Sequence, residues 1–153
     1  MNADPESIAV VSGYFNPLHI GHLALLHAAE KLGPYLIVIV NNDRQQIQKK
    51  GRIIQPENDR VAIVRELRCV DEVVLAPDSD SSVTEGLKII REKYPRSAIH
   101  FCNGGDRSPS ADAIPSNEAQ YCATHAIEMV YGVGGSAKSD SSSRIIQAMT
   151  TPG

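Results

Sequence analysis

Five short apolar runs rich in β-branched residues recur along the chain, at residues 8–11, 36–40, 72–75, 98–102 and 127–133. Their spacing of about thirty residues is that of strand–helix–strand units, which predicts parallel strands. The runs are apolar on both faces, as expected where helices cover both sides of a sheet. The pattern therefore predicts an α/β fold, a five-stranded parallel sheet inside three α/β/α layers.

Helical patterns fill the intervals between these runs. The first predicted helix ends at Gly33-Pro34. The third begins with a capping box between Ser82 and Glu85. The predicted helices cover residues 20–32, 59–68, a span from 82 to 94, a span that opens at 115, and 142–149.

Length and composition predict one domain, residues 1–153, with 42% hydrophobic and 22% charged residues. The three cysteines are odd in number and widely spaced, which indicates a reduced, cytoplasmic protein. No apolar run approaches the roughly 20 residues that span a bilayer, and the start lacks a signal pattern. We therefore expect no membrane partner.

The charge distribution points to a local anion site. A net charge of −3 argues against a general nucleic-acid binder, which would carry a large basic excess. Positions 43–68, however, hold seven of the fifteen basic residues and four acids. Residues 77–82, 104–115 and 132–143 are rich in loop formers and each follows a predicted strand. Ligands of open α/β sheets bind at this edge, so we expect these loops to form the site.

The segment from Gly13 to His22 carries the candidate chemistry. Gly13 permits a tight turn out of the first strand, and Gly21 allows close approach of another backbone segment or of a phosphate. His19 and His22 flank the first turn of a helix, where unpaired N–H groups and imidazole donors together describe a phosphate site. Two alternatives remain open: ordinary helix-start histidines, or a zinc pair, which lacks a third ligand nearby, so no metal residue is predicted.

This segment, G-Y-F-N-P-L-H-I-G-H at residues 13–22, resembles the H-x-G-H signature of the cytidylyltransferase-like nucleotidyltransferases, commonly G-x-F-D-x-x-H-x-G-H. The family includes glycerol-3-phosphate, phosphocholine and phosphoethanolamine cytidylyltransferases and heptose-phosphate and pantetheine-phosphate adenylyltransferases. Segments 40–43, 49–50, 103–106 and 141–146 stand where the family has related elements. The resemblance implies a Rossmann-like fold with strand order 3-2-1-4-5.

The resemblance also implies a reaction. A phosphate oxygen of a small phosphorylated or phosphonate acceptor attacks the α-phosphate of a nucleoside triphosphate, and pyrophosphate leaves. CMP is favoured as the transferred group, Mg²⁺ accompanies the triphosphate, and the protein is expected to be a homo-oligomer, a dimer. The alternatives are an adenylyltransferase that uses ATP and a sugar phosphate such as a heptose phosphate, and a non-catalytic nucleotide-binding regulator.

By the same resemblance, residues receive roles one by one. His19 and His22 donate to the phosphates in the transition state, and Lys49 and Lys50 reach phosphate oxygens from a glycine-bounded loop; a solvated basic loop is the alternative for the lysines. Arg107 is the predicted acceptor-binding residue. The predicted nucleotide-binding residues are Gly13, Tyr14, Phe15, Asn16, Gly21, Arg60, Gly105, Asp106, Ser141, Ser142 and Ser143.

Simpler roles compete with several of these assignments. Tyr14 and Phe15 are equally expected to pack, and Arg60 to form a surface salt bridge. The Gly105-Asp106 pair can be a plain capped turn, and one of the three serines a simple helix N-cap.

Two departures from the common pattern favour the regulator alternative. Asn16 stands where many members have Asp, and Ile146 occupies the place of a final basic residue.

Overall fold

Strands and helices alternate through the residues that the structure, a computed structural model, describes: 4–104 and 116–134. The strands are β1 (Ser7–Gly13), β2 (Tyr35–Val40), β3 (Glu72–Leu75), β4 (Ala98–Gly104) and β5 (Ile127–Val133). The helices in these ranges are α1 (Ile20–Glu30), α2 (Asp43–Lys50), α3 (Glu57–Arg65), α4 (Thr84–Lys93) and α5 (Ser116–Thr124). All strand pairs are parallel, in the order β3-β2-β1-β4-β5, which confirms the predicted sheet.

Helices cover both faces of this sheet. On one face, Ile37, Ile39 and Phe101 pack with Leu87 and Ile90 of α4. On the other face, Val11, Val38 and Cys102 pack with Leu26 of α1 and Val64 of α3. Alternate residues of each buried strand pack on opposite faces of the sheet. Because both faces are covered by helices, the strand sequences are continuous apolar runs. The three-layer α/β/α prediction is confirmed.

Helix α2 is an element that the pattern did not predict. Asn42 is its N-cap: the Oδ1 atom of Asn42 accepts from the backbone N–H of Gln45, and the Gln45 side chain accepts from that of Asn42. Gly51, with φ +78°, ends the helix in the left-handed conformation. The prediction of a glycine-bounded loop was therefore wrong, because Lys49 and Lys50 lie in the last turn of a helix.

The predicted capping box at Ser82 and Glu85 was also wrong. Helix α4 has no side-chain cap of that kind, and the Ser82 hydroxyl instead donates to Asp80. The carboxylate of Asp78 accepts from the backbone N–H groups of Glu85 and Gly86, at 2.8 and 3.2 Å. A carboxylate delivered by the preceding loop therefore satisfies the first turn of α4.

Gly33 serves a different purpose from the predicted one. Helix α1 ends at Glu30 with a right-handed C-cap at Lys31. A Cβ atom on Gly33 would lie 2.6 Å from the backbone nitrogen of Ala9, so glycine is needed because the chain passes against β1.

Other helix ends differ from the predicted ones by a few residues. Helix α3, for example, begins at Glu57 rather than at 59. The predicted helix over 142–149 lies outside the described residues. Within the described ranges, every helix is too short or too polar to cross a bilayer.

Candidate functional site

Two of the segments predicted to bind phosphate lie at the carboxyl ends of neighbouring strands. Residues 14–19 connect β1 to α1, and α2 follows the end of β2. The neighbouring strands β1 and β4 are followed by helices on opposite faces of the sheet, α1 after β1 and α5 after β4. Open α/β sheets bind ligands at such a point.

The two histidines cap helix α1 with their own side chains. The backbone N–H of Gly21 donates to Nδ1 of His19 at 3.1 Å, and the backbone N–H of His19 donates to Nδ1 of His22 at 3.1 Å. An Nδ1 atom that accepts a hydrogen bond carries no proton, so each neutral ring carries its proton on Nε2. The cap therefore fixes both imidazoles as Nε2–H donors at a helix N-terminus.

Neighbouring rings fix the orientation of these imidazoles. The His19 and His22 rings stack with centroids 3.8 Å apart, and the Phe15 ring lies 4.8 Å from that of His22. Phe15 is buried, with a φ of +54° that is rare for a side chain of its size. A Cβ atom on Gly13 would lie 3.0 Å from the Phe15 ring, so Gly13 leaves space for this ring.

Helix α2 brings the lysines to the same segment. The Nζ atom of Lys49 lies 4.7 Å from the centroid of the Tyr14 ring, a cation–π distance. The Tyr14 hydroxyl donates to the backbone carbonyl of Gln45 at 3.4 Å. Burial and the adjacent charge of Lys49 lower the pKa of Lys50. The structure thus places Lys49 beside the histidine segment, with Lys50 next to it in the last turn of α2.

Arg60 occupies a position that does not suit the predicted phosphate contact. Its side chain is fully buried, and its guanidinium donates to the backbone carbonyls of Gln55, Tyr14 and Asn41. It also forms an ion pair with Asp43 at 2.9 Å. Because every guanidinium nitrogen has a protein partner, Arg60 joins three segments around the site. The salt bridge of the simpler alternative is present, but it is not a surface contact of Arg60, since nothing of Arg60 is exposed.

Asn16 is likewise buried, with its side-chain amide donating to Oε1 of Gln46 at 2.6 Å. Its Oδ1 atom has no hydrogen-bond partner among the described residues. The backbone N–H of Gly21, the other predicted contact in this segment, is donated to His19. Phe15, Asn16 and Gly21 therefore shape the site through protein contacts.

Six predicted residues lie outside the described ranges: Gly105, Asp106, Arg107, Ser141, Ser142 and Ser143. Their assignments stay predictions. Within residues 4–104 and 116–134, no three His, Cys, Asp or Glu side chains converge to hold a metal ion.

Gln45 and Gln46, both buried on α2, were not among the predicted site residues. The signal was present, because Asn42 followed by Gln45 has the spacing of a capping box at the start of a helix. A polar helix with two buried glutamines lacks the apolar stripe on which helix prediction mostly rests, and so the pattern indicated a loop.

Comparison with known proteins identifies a matching family and several relatives. The model of the cytidylyltransferase-like family matches residues 10–147. An FAD synthase of Pyrococcus abyssi is 40% identical over 87 residues, 56% of this chain and 56% of that protein. The bifunctional protein HldE of Photobacterium profundum is 37% identical over 106 residues, 68% of this chain and 21% of that protein. The chain thus spans about half the length, or less, of these relatives.

Solved structures share the fold. A lipopolysaccharide core biosynthesis protein of Thermoplasma volcanium superposes with a TM-score of 0.61 and 25% identity, over 88% of this chain and 98% of that one. A putative nicotinate-nucleotide adenylyltransferase of Vibrio parahaemolyticus superposes with a TM-score of 0.57 and 16% identity, over 94% of this chain and 86% of that one.

Proposed function

The chain belongs to the cytidylyltransferase-like family, and on that premise we propose that it is a nucleotidyltransferase. It transfers a nucleoside monophosphate from a nucleoside triphosphate to a small phosphorylated or phosphonate acceptor. One observation carries this proposal: His19 and His22 are held as neighbouring Nε2–H donors at the start of α1. That arrangement suits the oxygens of a phosphate in transfer.

The proposed reaction needs no covalent enzyme intermediate. An oxygen of the acceptor attacks the α-phosphorus in line, a new P–O bond forms, and the bond to the β-phosphate bridging oxygen breaks. Pyrophosphate leaves with the electron pair of that bond. The histidines donate hydrogen bonds to the phosphate oxygens on which charge accumulates, which is the main means of accelerating phosphoryl chemistry.

The acceptor's reacting group is proposed to be a dianion. A dianion attacks without a base, but it must approach a highly charged triphosphate. Lys49, over the Tyr14 ring, and Lys50 next to it supply positive charge beside the histidine segment. Arg107, from the connection after β4, is proposed to join them at the acceptor.

The transferred nucleotide is proposed to be AMP rather than CMP. The sequence alone favoured CMP, but a matching relative is named an FAD synthase. FAD contains an adenosine monophosphate joined to a flavin phosphate, so a synthase of FAD forms an adenylate anhydride. CMP transfer is the competing assignment.

Mg²⁺ is proposed to arrive with the triphosphate, held by phosphate oxygens and water. It would supply charge neutralisation there. A homodimer is proposed from the family resemblance and a cytoplasmic location from the three widely spaced cysteines. Light scattering after gel filtration tests the dimer.

A two-way screen tests the function. Each of four nucleoside triphosphates is paired with flavin mononucleotide, a heptose phosphate, glycerol 3-phosphate and phosphocholine, and pyrophosphate release is measured with Mg²⁺. We expect release with ATP and one phosphorylated acceptor, and none with the dephosphorylated acceptor. Release with CTP alone would replace AMP by CMP. Triphosphate binding without release for any pair would instead support a regulator.

A further inference from the structure

The side chain of Gln46 presents its acceptor oxygen Oε1, not its donor nitrogen Nε2, to position 16. The backbone N–H of Ile54 donates to Oε1 of Gln46 at 2.6 Å, and the Nε2 atom of Gln46 donates to the backbone carbonyl of Gln55 at 3.1 Å. Because two backbone groups of fixed polarity define the orientation of this side-chain amide, it cannot rotate without losing both bonds. The side chain at position 16 must therefore donate.

Asparagine meets this requirement and an ionised aspartate does not. Asn16 and Gln46 are both fully buried, and the distance from Nδ2 to Oε1 is 2.6 Å. A carboxylate in the same place would set an anionic oxygen against the carbonyl oxygen of Gln46, away from water, which costs several times more than a solvated contact. The geometry thus gives a physical reason for the Asn that departs from the G-x-F-D pattern.

Resting on the proposed function, we propose that the Asn16–Gln46 hydrogen bond positions helix α2, with Lys49 and Lys50, against the His19–His22 segment. Asn16 is a positioning residue matched to Gln46, and its presence in place of Asp is no sign of lost activity. Asn16 lies three residues before His19, and Gln46 lies three before Lys49. The bond joins the two segments whose side chains are proposed to share the phosphates.

The chain contains a second pair of the same chemistry. The amide of Asn41 donates to Oε1 of Gln45 at 3.1 Å, and both side chains are buried. Gln45 in turn donates to the backbone carbonyls of Asp80 and Ser82, each at 2.7 Å. The side chains of this pair join α2 to the end of β2 and to the loop before α4. Their contacts with the histidine segment are made by backbone atoms: the Gln45 carbonyl accepts from the Tyr14 hydroxyl, and the Asn41 N–H donates to the Gly13 carbonyl. Asn41 therefore provides a matched control for Asn16.

Charged groups surround the Asn16–Gln46 pair on the elements packed against it. Gln46 also donates to Asp43 at 3.2 Å, Asp43 is paired with Arg60, and Glu57 accepts from the Asp43 backbone N–H. In the part of the chain that the structure describes, the other titratable side chains of the histidine segment and of α2 are Tyr14, His19, His22, Arg44, Lys49 and Lys50. None of these groups changes in the variants below.

The substitution Asn16→Asp tests the proposal through its pH profile. A protonated carboxyl donates to Gln46 as the amide does, whereas burial and the facing oxygen raise the carboxyl pKa and make its ionised form repel Gln46. Relative to wild type, and per folded molecule, kcat/KM of this variant should be nearly normal at about pH 5.5 and about tenfold lower at about pH 8.5. Asn41→Asp should show no such additional loss. An equal loss in both variants would overturn the proposal.

Folding is measured alongside turnover, because a buried carboxyl also destabilises the chain. A decline of N16D turnover that follows the folded fraction alone overturns the proposal. Asn16→Ala removes the donor without adding a carboxyl, so its loss of turnover should be independent of pH. A pH-dependent loss in N16A would count against the proposal.

A second measurement does not need turnover. Hydrogen exchange of the Ile54 backbone amide reports whether Gln46 keeps its orientation. In N16D, the protection of this amide relative to wild type should be lower at about pH 8.5 than at about pH 5.5. Unchanged protection would refute the pairing. If wild type releases no pyrophosphate with any substrate pair while protection changes as expected, the proposed function fails and the pairing stands.

Discussion

The imidazole rings of His19 and His22 stack with centroids 3.8 Å apart, and each ring also accepts a backbone N–H at the start of α1. The Nδ1 atoms accept backbone N–H groups, so the Nε2 atoms carry the protons that the proposed chemistry needs. The same two side chains therefore stabilise α1 and orient the donors. A substitution by alanine changes both properties at once, and better variants separate them.

Asparagine at position 19 and glutamine at position 22 separate capping from donation. Asn is a strong N-cap and Gln completes a capping box, so H19N and H22Q should keep the free energy of unfolding near that of wild type. Both lack the imidazole Nε2–H, and turnover should fall by about 10²–10³. His19→Ala should lose the same turnover and, in addition, about 1 kcal/mol of stability. Urea unfolding and pyrophosphate release measure the two effects; near-normal turnover in H19N would remove His19 from the mechanism.

Gly13→Ala tests the chain of contacts behind the histidines. Its Cβ atom would meet the Phe15 ring at 3.0 Å, and that ring packs on His22. Since Phe15 is buried, the ring has little room to move, and we expect a loss of about 1–3 kcal/mol together with reduced turnover. Adding Phe15→Leu to the Gly13→Ala variant should restore part of the stability. Wild-type stability and turnover in Gly13→Ala would show that the Phe15 ring moves aside without a cost in free energy and without disturbing His22.

Arg60→Met distinguishes a structural role from phosphate binding. It removes the Arg60 donors from Asp43 and from three backbone carbonyls, and we expect a loss of about 3 kcal/mol, at the low end for a buried pair because Asp43 is 24% exposed and keeps the Gln46 donor. Arg44→Met, on the exposed side of α2, should change stability by less than about 0.5 kcal/mol. The Michaelis constant for the triphosphate, measured on folded protein, should stay near wild type. A large rise in that constant with little loss of stability would assign Arg60 to the phosphates.

The contrast between β2 and α2 shows what the sequence can predict here. Leu36 to Val40 is a continuous apolar run, and burial on both faces follows directly from that pattern. Helix α2 is stabilised by a cap and by buried amide hydrogen bonds to loops distant in sequence, such as Gln45 to Asp80. Contacts of that kind have no local period, so the helix was not predicted.

The candidate site also contains one feature that the local sequence predicts and one that depends on distant contacts. The positions of His19 and His22 followed from the motif, but the burial of Arg60 did not. A guanidinium can bind a phosphate or join backbone carbonyls with the same five donors. Only the fold decides which of these partners it meets.

Glu72 provides a test of acid stability away from the candidate site. Burial alone would raise its pKa, but hydrogen bonds from Tyr94, Lys93 and Tyr35 outweigh burial and leave the pKa lowered. A lowered carboxyl pKa gives stability that is complete above the unfolded pKa of roughly 4.3 and is lost as the pH falls through the folded value. Glu72→Gln should therefore cost about 1–2 kcal/mol near neutral pH and progressively less in acid.

Unfolding by urea between about pH 3 and pH 7 measures this convergence. The control Glu66→Gln, at an exposed position, should parallel wild type throughout. A constant difference between wild type and Glu72→Gln across that range would contradict the prediction.

Lys49 and Lys50 should act differently on the acceptor. Lys49 is positioned over Tyr14, and the pKa of Lys50 is lowered by burial and by the charge of Lys49. An anion bound between them relieves their repulsion, so Lys49→Glu and Lys50→Glu should each raise the Michaelis constant of the acceptor by about tenfold.

Because Lys50 loses its proton at a lower pH than an ordinary lysine, the Michaelis constant of the acceptor should also rise in wild type as the pH climbs toward about 10. Lys50→Arg, which stays charged, should remove the alkaline rise, while Lys50→Gln should show the raised constant at every pH. Arg107→Glu belongs to the same series as the third predicted acceptor contact. If the three charge reversals leave both Michaelis constants unchanged, the acceptor is not held by these cations and the dianion proposal is wrong.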